Sequence, residues 1–315
     1  MRKKQNEGRA VANTRTATLI RDLYQVINRK RNACSRKTTV NRQTAVNKLR
    51  QFISEEKGGR ELTAKGMTKL VICEFYQWHK SKGLSDNYFG CLIANLRPLL
   101  KELVGRTRAG ELFEDITLSR EEPRQSCVGK EKIKRLAELK LEPGSQLERA
   151  RDITLFCFMA CGLPFVDAAY LRKDQLKDGH ITFLRKKTNV RQSVTVTPMM
   201  QRILDRQSPK DSPFLLPILT TEDAKRQDDE YQNRLKKHNL LLNQLGGMIE
   251  PGLRLTSYSM RYAWANIAAE RGESINYISC GMMHRNIKTT QTYLRRINQD
   301  KFDEMCRRIL DFLVA

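Results

Sequence analysis

Three things are scarce in this chain of 315 residues: acidic side chains, paired cysteines and long apolar runs. Asp and Glu number 35 against 58 Lys and Arg, a formal net charge of +23. A deficit of that size points to a polyanionic partner, nucleic acid before membrane. The eight cysteines, at 34, 73, 91, 127, 157, 161, 280 and 306, form no C-x-x-C pair. They resemble neither a zinc site nor a disulfide framework. Cys157 and Cys161 stand one helical turn apart in ITLFCFMACGL and read as buried free thiols. This usage suits a reducing cytoplasm, and a nucleic-acid partner would add a nucleoid-associated place within it. The same run, Ile153 to Leu163, is the most apolar stretch and falls far short of the ~20 residues that span a bilayer. The basic start MRKKQNEGRAVANTRT leads into no apolar segment of signal-peptide type. No repeat of ~20–50 residues is visible, which argues against a solenoid.

What is present is mostly helical periodicity. Residues 1–50 carry 14 Lys/Arg and 2 Asp/Glu, and 1–14 read as a basic flexible tail. Between about 15 and 115 the apolar spacing predicts four amphipathic helices. Leu19, Leu23, Val26 and Ile27 face inward on the first; Val46, Leu49, Phe52 and Ile53 on the second. Thr63 is a candidate cap for the third, with Leu70, Val71, Phe75 and Trp78 inward and Gly83 as its stop. Ser85 is a candidate cap for the fourth, in which Pro98 should introduce a kink. Arg42, Lys48, Arg50, Lys65, Lys80 and Lys82 lie on outer faces that suit DNA phosphates, although a charge run is usually a solvated face. The polar stretch 116–129, with Pro123, reads as a linker.

The second half, 130–315, opens with helices near Lys130–Leu139 and Ser145–Cys161. The period then changes in HITFLRKKTNVRQSVTVTP, which predicts a β-hairpin. Ile181, Phe183 and Arg185 alternate with Thr182, Leu184 and Lys186; Asn189–Arg191 form the turn, and Val194 and Val196 return. A helix follows near Met199–Arg206, then a charged region, Leu219–Leu245, read as one or two helices with long loops. A final amphipathic helix carries Phe302, Met305, Ile309, Phe312 and Leu313. The fold class is therefore mainly α with a small β-hairpin or sheet.

The richest stretch is LTSYSMRYAWANIAAERGESINYISCGMMHRNIKTTQTYLRR, Leu255 to Arg296. Its residue types suit metal-free cleavage of a phosphodiester. That reaction needs a nucleophile able to lose a proton, and a phenol of pKa about 10 needs help. It needs guanidinium-type donors for the non-bridging oxygens and an acid for the leaving 5′ oxygen. Tyr293 would attack and Arg261 would clamp the phosphate. Tyr258, three residues earlier on the same helix face, would share its target. His284, ending a helix over Ser274–Met283, would donate to a phosphate oxygen. Lys187 on the hairpin would protonate the leaving oxygen. No metal or nucleotide cofactor is called for. Singly, each has an ordinary explanation, such as a helix-terminal histidine or a basic hairpin; their combination and order carry the reading.

In these residues the chain resembles the tyrosine recombinases, the phage-integrase family. That family has an Arg in a T-G-L-R-type turn, a hairpin Lys, an H-x-x-R helix, an L-G-H-type turn and a Tyr about nine residues on. Arg261, His284 in Met282-Met283-His284, Tyr293 in TTQTYLRR and Lys187 fall on those positions. The wording of ERARDITLFCFMACGLPFVDAAYLRK…FLRKKT is similar to recombinases of bacterial mobile elements and invertible switches. The resemblance implies a SAM-like core-binding bundle before the linker, and after it a catalytic domain ending in an exchange helix that packs on a neighbouring subunit. It implies a 3′-phosphotyrosyl intermediate. Two inverted half-sites of double-stranded DNA and a homotetrameric synapse are implied too, with room for an accessory DNA-bending protein and no membrane partner.

Two positions depart from the family pattern. Pro164 in CGLPFVD stands where the first Arg belongs, and Tyr258 in YSMR stands where a His belongs. Tyr262 follows Arg261 where a second His is usual. Because strand side chains alternate, Arg185 should share a face with Lys187 and supply the missing guanidinium; Arg172 and Arg254 are weaker candidates. The competing functions are a non-catalytic DNA-binding protein and a type IB topoisomerase. Within the recombinase reading, inversion competes with integration and excision.

Overall fold

The computed structural model describes residues 18–58, 62–119 and 128–294, with Arg307 alone beyond them. The basic tail, Arg295, Arg296 and the expected exchange helix lie outside those residues. The chain divides at Pro123/Arg124 into two compact units.

The first unit is helical. α1 (Thr18–Arg29), α2 (Arg36–Glu56), α3 (Lys69–Ser81) and α4 (Asp86–Val104) are followed by the short α5 (Arg106–Glu111). Side-chain caps fix the starts of three of them: Ser35 accepts from the Thr38 amide, Thr68 from Val71 and Ser85 from Tyr88. Thr63 does not cap α3; its hydroxyl accepts from the Gly66 amide at 3.0 Å and closes the turn before the helix. Gly83, at φ +67°, ends α3 as the spacing predicts. α4 runs through Pro98. The inward residues make one core, in which the Phe75 ring lies 5.3 Å from Phe52 and 5.2 Å from Phe89.

The second unit is built around α7 (Gln146–Met159), which packs against α9 (Pro198–Gln207), α10 (Ala224–Ile249) and α11 (Ser259–Glu270). Enclosure explains its sequence, since Ile153 to Cys157 are all buried and no polar stripe is needed. Burial pushes the Cys157 thiol up to about 12. Cys161 is different from the expectation: it lies past the helix end at φ +57° and is half-buried. α10 is one 26-residue helix in place of the expected one or two with loops. The remaining helices are α6 (Lys130–Glu138), α8 (Phe165–Ala169), α12 (Ile275–Gly281) and α13 (Ile287–Gln291).

One antiparallel sheet, in the order β1-β2-β3, joins β1 (Leu176–Lys177), β2 (His180–Leu184) and β3 (Arg191–Thr195). Ile181 pairs with Val194 and Leu184 with Arg191. β2 therefore stops at Leu184, and residues 185–190 form the turn. The strand alternation expected through Arg185 and Lys187 does not reach them: Arg185 is buried and Lys187 exposed. Among the described residues, no helix is long and apolar enough to cross a membrane.

Candidate active site

Arg261, in the first turn of α11, is the largest fully buried side chain, 1% exposed. Its Nη1 donates to the Gly162 carbonyl at 2.8 Å, and its Nη2 to the Met282 carbonyl. Nη2 also lies 3.0 Å from His284 Nε2. Both carbonyls come from turns that only certain residues permit. Gly162 has φ +67°, and a Cβ there would stand 2.9 Å from the Arg261 Cα. Gly281, closing α12, lies so near Trp264 that a Cβ would meet the ring at 2.6 Å. Met283 then takes φ +56° and turns the chain so that the His284 amide bonds the Ser279 carbonyl at 3.0 Å.

An arginine can only donate, so His284 Nε2 is the acceptor. The neutral ring must then carry its proton on Nδ1, which faces the buried Thr290 hydroxyl at 2.9 Å. Burial first, then the charges of Arg261, Arg185 and Lys187, lower the His284 pKa to about 4. In this arrangement His284 Nε2 is thus taken up by Arg261.

Tyr293 follows α13 and is 7% exposed. Asn266 of α11 holds its carbonyl at 2.8 Å. Its ring packs on Tyr262 (centroids 4.7 Å) and His284 (5.1 Å), with the Arg261 guanidinium 5.6 Å from its centroid. Its hydroxyl lies 3.0 Å from that of Tyr258, the exposed residue just before α11. Burial raises the Tyr293 pKa, the Tyr258 hydroxyl adds to this, and the Arg261 charge opposes it.

The hairpin turn delivers a second guanidinium. Arg185 is 5% exposed and donates from Nη1 to the Met283 carbonyl at 3.0 Å, next to His284. Its Nε lies 3.6 Å from Asp167 Oδ2. Asp167 comes from α8, which begins just after Pro164, and its Oδ1 accepts from the Lys186 amide at 2.8 Å. Desolvation raises this carboxyl's pKa against the pull of the Lys186 amide, Arg185 and Arg261. Sequence reasoning missed Asp167. The available signal was an acid in the otherwise apolar PFVDAAYL, which needs a partner when buried. Of the weaker arginine candidates, Arg172 pairs with Glu222 (3.1 Å) and Asp174 (3.8 Å), and Arg254 is exposed.

The cluster thus gathers Arg261, His284, Tyr293, Tyr258 and Arg185 from four segments, with Lys187 close enough to bias His284. The Nε atoms of Arg185 and Arg261 have no hydrogen-bond partner, and Asp167 Oδ2 faces Arg185 Nε at 3.6 Å without bonding it. Two buried guanidiniums thus share one carboxylate, which leaves the site with excess positive charge.

No protein-family model and no curated protein matches the chain. Solved structures do. XerH recombinase bound to palindromic difH in a post-cleavage complex aligns over 92% of this chain and 85% of its own, with TM-score 0.64 and 14% identity. A lambda integrase dimer bound to a COC′ core site covers 87% and 93%, with TM-score 0.60 and 14% identity. Tn1549 transposon integrase in complex with a circular intermediate DNA covers 92% and 99%, also at 0.60 and 14%. At such identity the likeness is one of fold, and the chain has the fold of the tyrosine recombinases.

Proposed function

We propose that this chain is a site-specific DNA recombinase that cuts and rejoins DNA through a 3′-phosphotyrosyl link on Tyr293. The observation that carries the reading is the convergence of Tyr293, two buried guanidiniums and His284 at one place short of negative charge. A scissile phosphodiester supplies that charge. Arg261 and Arg185 hold its non-bridging oxygens, so Arg185 does the work that the family assigns to the position of Pro164. The phosphate draws Arg261 Nη2 off His284 and its charge raises the His284 pKa; the ring, protonated from water, then donates to it from Nε2.

Tyr293 Oη attacks phosphorus. Its proton passes to the Tyr258 oxygen as the Tyr258 proton leaves to water, which keeps a phenol useful where a base is expected. The bond from phosphorus to the 5′ oxygen breaks, and that oxygen takes a proton from the Lys187 ammonium. Rejoining runs these steps backwards with a new 5′ hydroxyl. The energy stays in the tyrosyl ester, which makes exchange between two duplexes feasible without a nucleotide.

The partner is double-stranded DNA with inverted half-sites, two protomers on each site and two sites in a tetrameric synapse; an accessory bending protein would act on the DNA outside them. Inversion and integration share this chemistry. Inverted repeats around a promoter beside the coding region would mark an invertase, and element ends an integrase. Pro164 favours a second reading, a DNA-binding protein without cleavage. One experiment separates them. Sites selected from a randomised duplex library by binding are nicked at successive positions and incubated with the protein. A covalent protein–DNA band that survives denaturation and is lost in Tyr293→Phe is the expected result. Binding with no such band at any nick would leave only the second reading.

A further inference from the structure

The turn that carries Lys187 is fastened to the His284 turn by two arginines reaching in opposite directions. Arg185, at the start of the hairpin turn, donates to the Met283 carbonyl. Arg285, the residue after His284, donates from Nη2 to the Thr188 carbonyl. Each arginine binds a backbone oxygen of the other's segment, and only Lys186 and Lys187 lie between the two anchor points on the hairpin side. The turn itself is closed. The Thr188 and Asn189 amides both reach the Arg185 carbonyl, at 3.3 and 2.8 Å, and the Arg185 amide bonds the Val190 carbonyl at 2.9 Å. A left-handed residue shapes each side, Asn189 at φ +51° and Met283 at +56°. The Lys187 side chain is exposed and sits on a flexible stem, so the hold on its backbone sets where its ammonium can reach.

We propose that Arg285 is a positioning residue. Through the Thr188 carbonyl it holds the 185–190 turn against the His284 turn, which keeps Lys187 within reach of the leaving 5′ oxygen. The inference rests on the reading of Lys187 as the general acid: one proton moves from its ammonium to the 5′ oxygen as the phosphorus–oxygen bond breaks, and returns on rejoining. The competing role for an exposed guanidinium is direct contact with a DNA phosphate, and the two make different predictions.

The test uses the full chain in single-turnover cleavage, at saturating protein, of two nicked duplexes of the selected sequence. One has the ordinary scissile linkage; the other has sulfur in place of the bridging 5′ oxygen. A thiol, of pKa about 8.5, leaves as the thiolate without a proton. Lys187→Ala and Arg285→Ala should each cleave the oxygen duplex at least ~10-fold more slowly than wild type, and the sulfur duplex within about threefold of it. Arg285→Gln, which keeps an N–H donor but shortens the reach, should behave like Arg285→Ala. Hydrogen exchange of the free Arg285→Ala protein should speed up at residues 186–190. Arg285→Ala cleaving the oxygen duplex at the wild-type rate would overturn the proposal. So would equal slowing on both duplexes, or weaker binding with an unchanged rate at saturation, which is the phosphate-contact outcome. If Lys187→Ala is itself not rescued by sulfur, the general-acid reading fails and takes this inference with it; rescue of Lys187→Ala without rescue of Arg285→Ala sinks the inference alone.

Discussion

Arg261 concentrates the energetics of the site in one residue. A guanidinium stays charged even when burial works against it, and this one meets two carbonyls and a neutral imidazole, with the Tyr293 hydroxyl beside it and the Asp167 carboxyl acting from farther off. Its position depends on the Cys161–Gly162 turn. Gly162→Ala combines a left-handed φ with a methyl 2.9 Å from the Arg261 Cα, and backbone is a poor thing to displace. The strain should cost about 1–3 kcal/mol and lower Tm by roughly 3–10 °C. Cleavage should fall with it, because the Gly162 carbonyl would move off Arg261 Nη1. Calorimetry alongside the covalent-band assay checks this, and a wild-type melting curve would show that the turn tolerates a side chain. At this scale the sequence disclosed residue identities but not protonation. Nothing in MMHRN says that His284 Nε2 is an acceptor; that follows from the arginine it faces.

Between elements, His238 records how tightly α10 and α7 enclose each other. Its ring stacks on Phe165 of α8 at 4.3 Å, and its Nε2 meets the Thr154 hydroxyl of α7 at 3.3 Å. That hydroxyl already donates to the Ala150 carbonyl, so the histidine is the donor. Burial lowers its pKa to about 4. An unfolded histidine titrates near 6.5, so between these values the unfolded chain binds the proton and the folded chain does not. Stability should be whole above about pH 6.5 and decline as pH falls toward about 4, by on the order of 3 kcal/mol from this group. His284 adds a smaller contribution of the same sign, being half-exposed. His238→Gln keeps a donor for Thr154 and should flatten the fall in Tm between about pH 7 and about pH 5; an unchanged slope would assign it to other groups. The elements themselves were legible from periodicity, because amphipathic helices must bury one face. Their ends were less so. Thr63 and Thr68 are equally good caps by type, and only the packing of Met67 and Val71 into the core selects the second.

The whole molecule is a cation, and its charge is a property of binding more than of fold. With +23 spread over two units, affinity for duplex DNA should drop steeply with salt. If about 6–10 phosphates are contacted, it falls ~10³–10⁵-fold between about 50 and about 200 mM. Filter binding across that range measures the slope, and a flat dependence would remove phosphate contacts from the account. Tyr293→Phe should keep the slope while losing the covalent band, since a hydroxyl carries no charge at neutral pH.

The sequence by itself determined the helical class and the inward faces of the helices, and it singled out the residue types in Leu255–Tyr293 as candidates for chemistry, because periodicity and residue type are local properties of the chain. It also singled out Arg185 as a candidate for the missing guanidinium, though for a reason that the hairpin does not obey. Strand alternation ends at Leu184, and Arg185 enters the site from a turn, drawn in by the Met283 carbonyl and Asp167. What only the tertiary structure decided is which groups share a desolvated volume. Gly162, Asp167, Arg185, Arg261 and Met282 span over a hundred residues of chain, and the pKa of His284, the pairing of Tyr258 with Tyr293 and the two-arginine clasp exist only once burial removes water from between them.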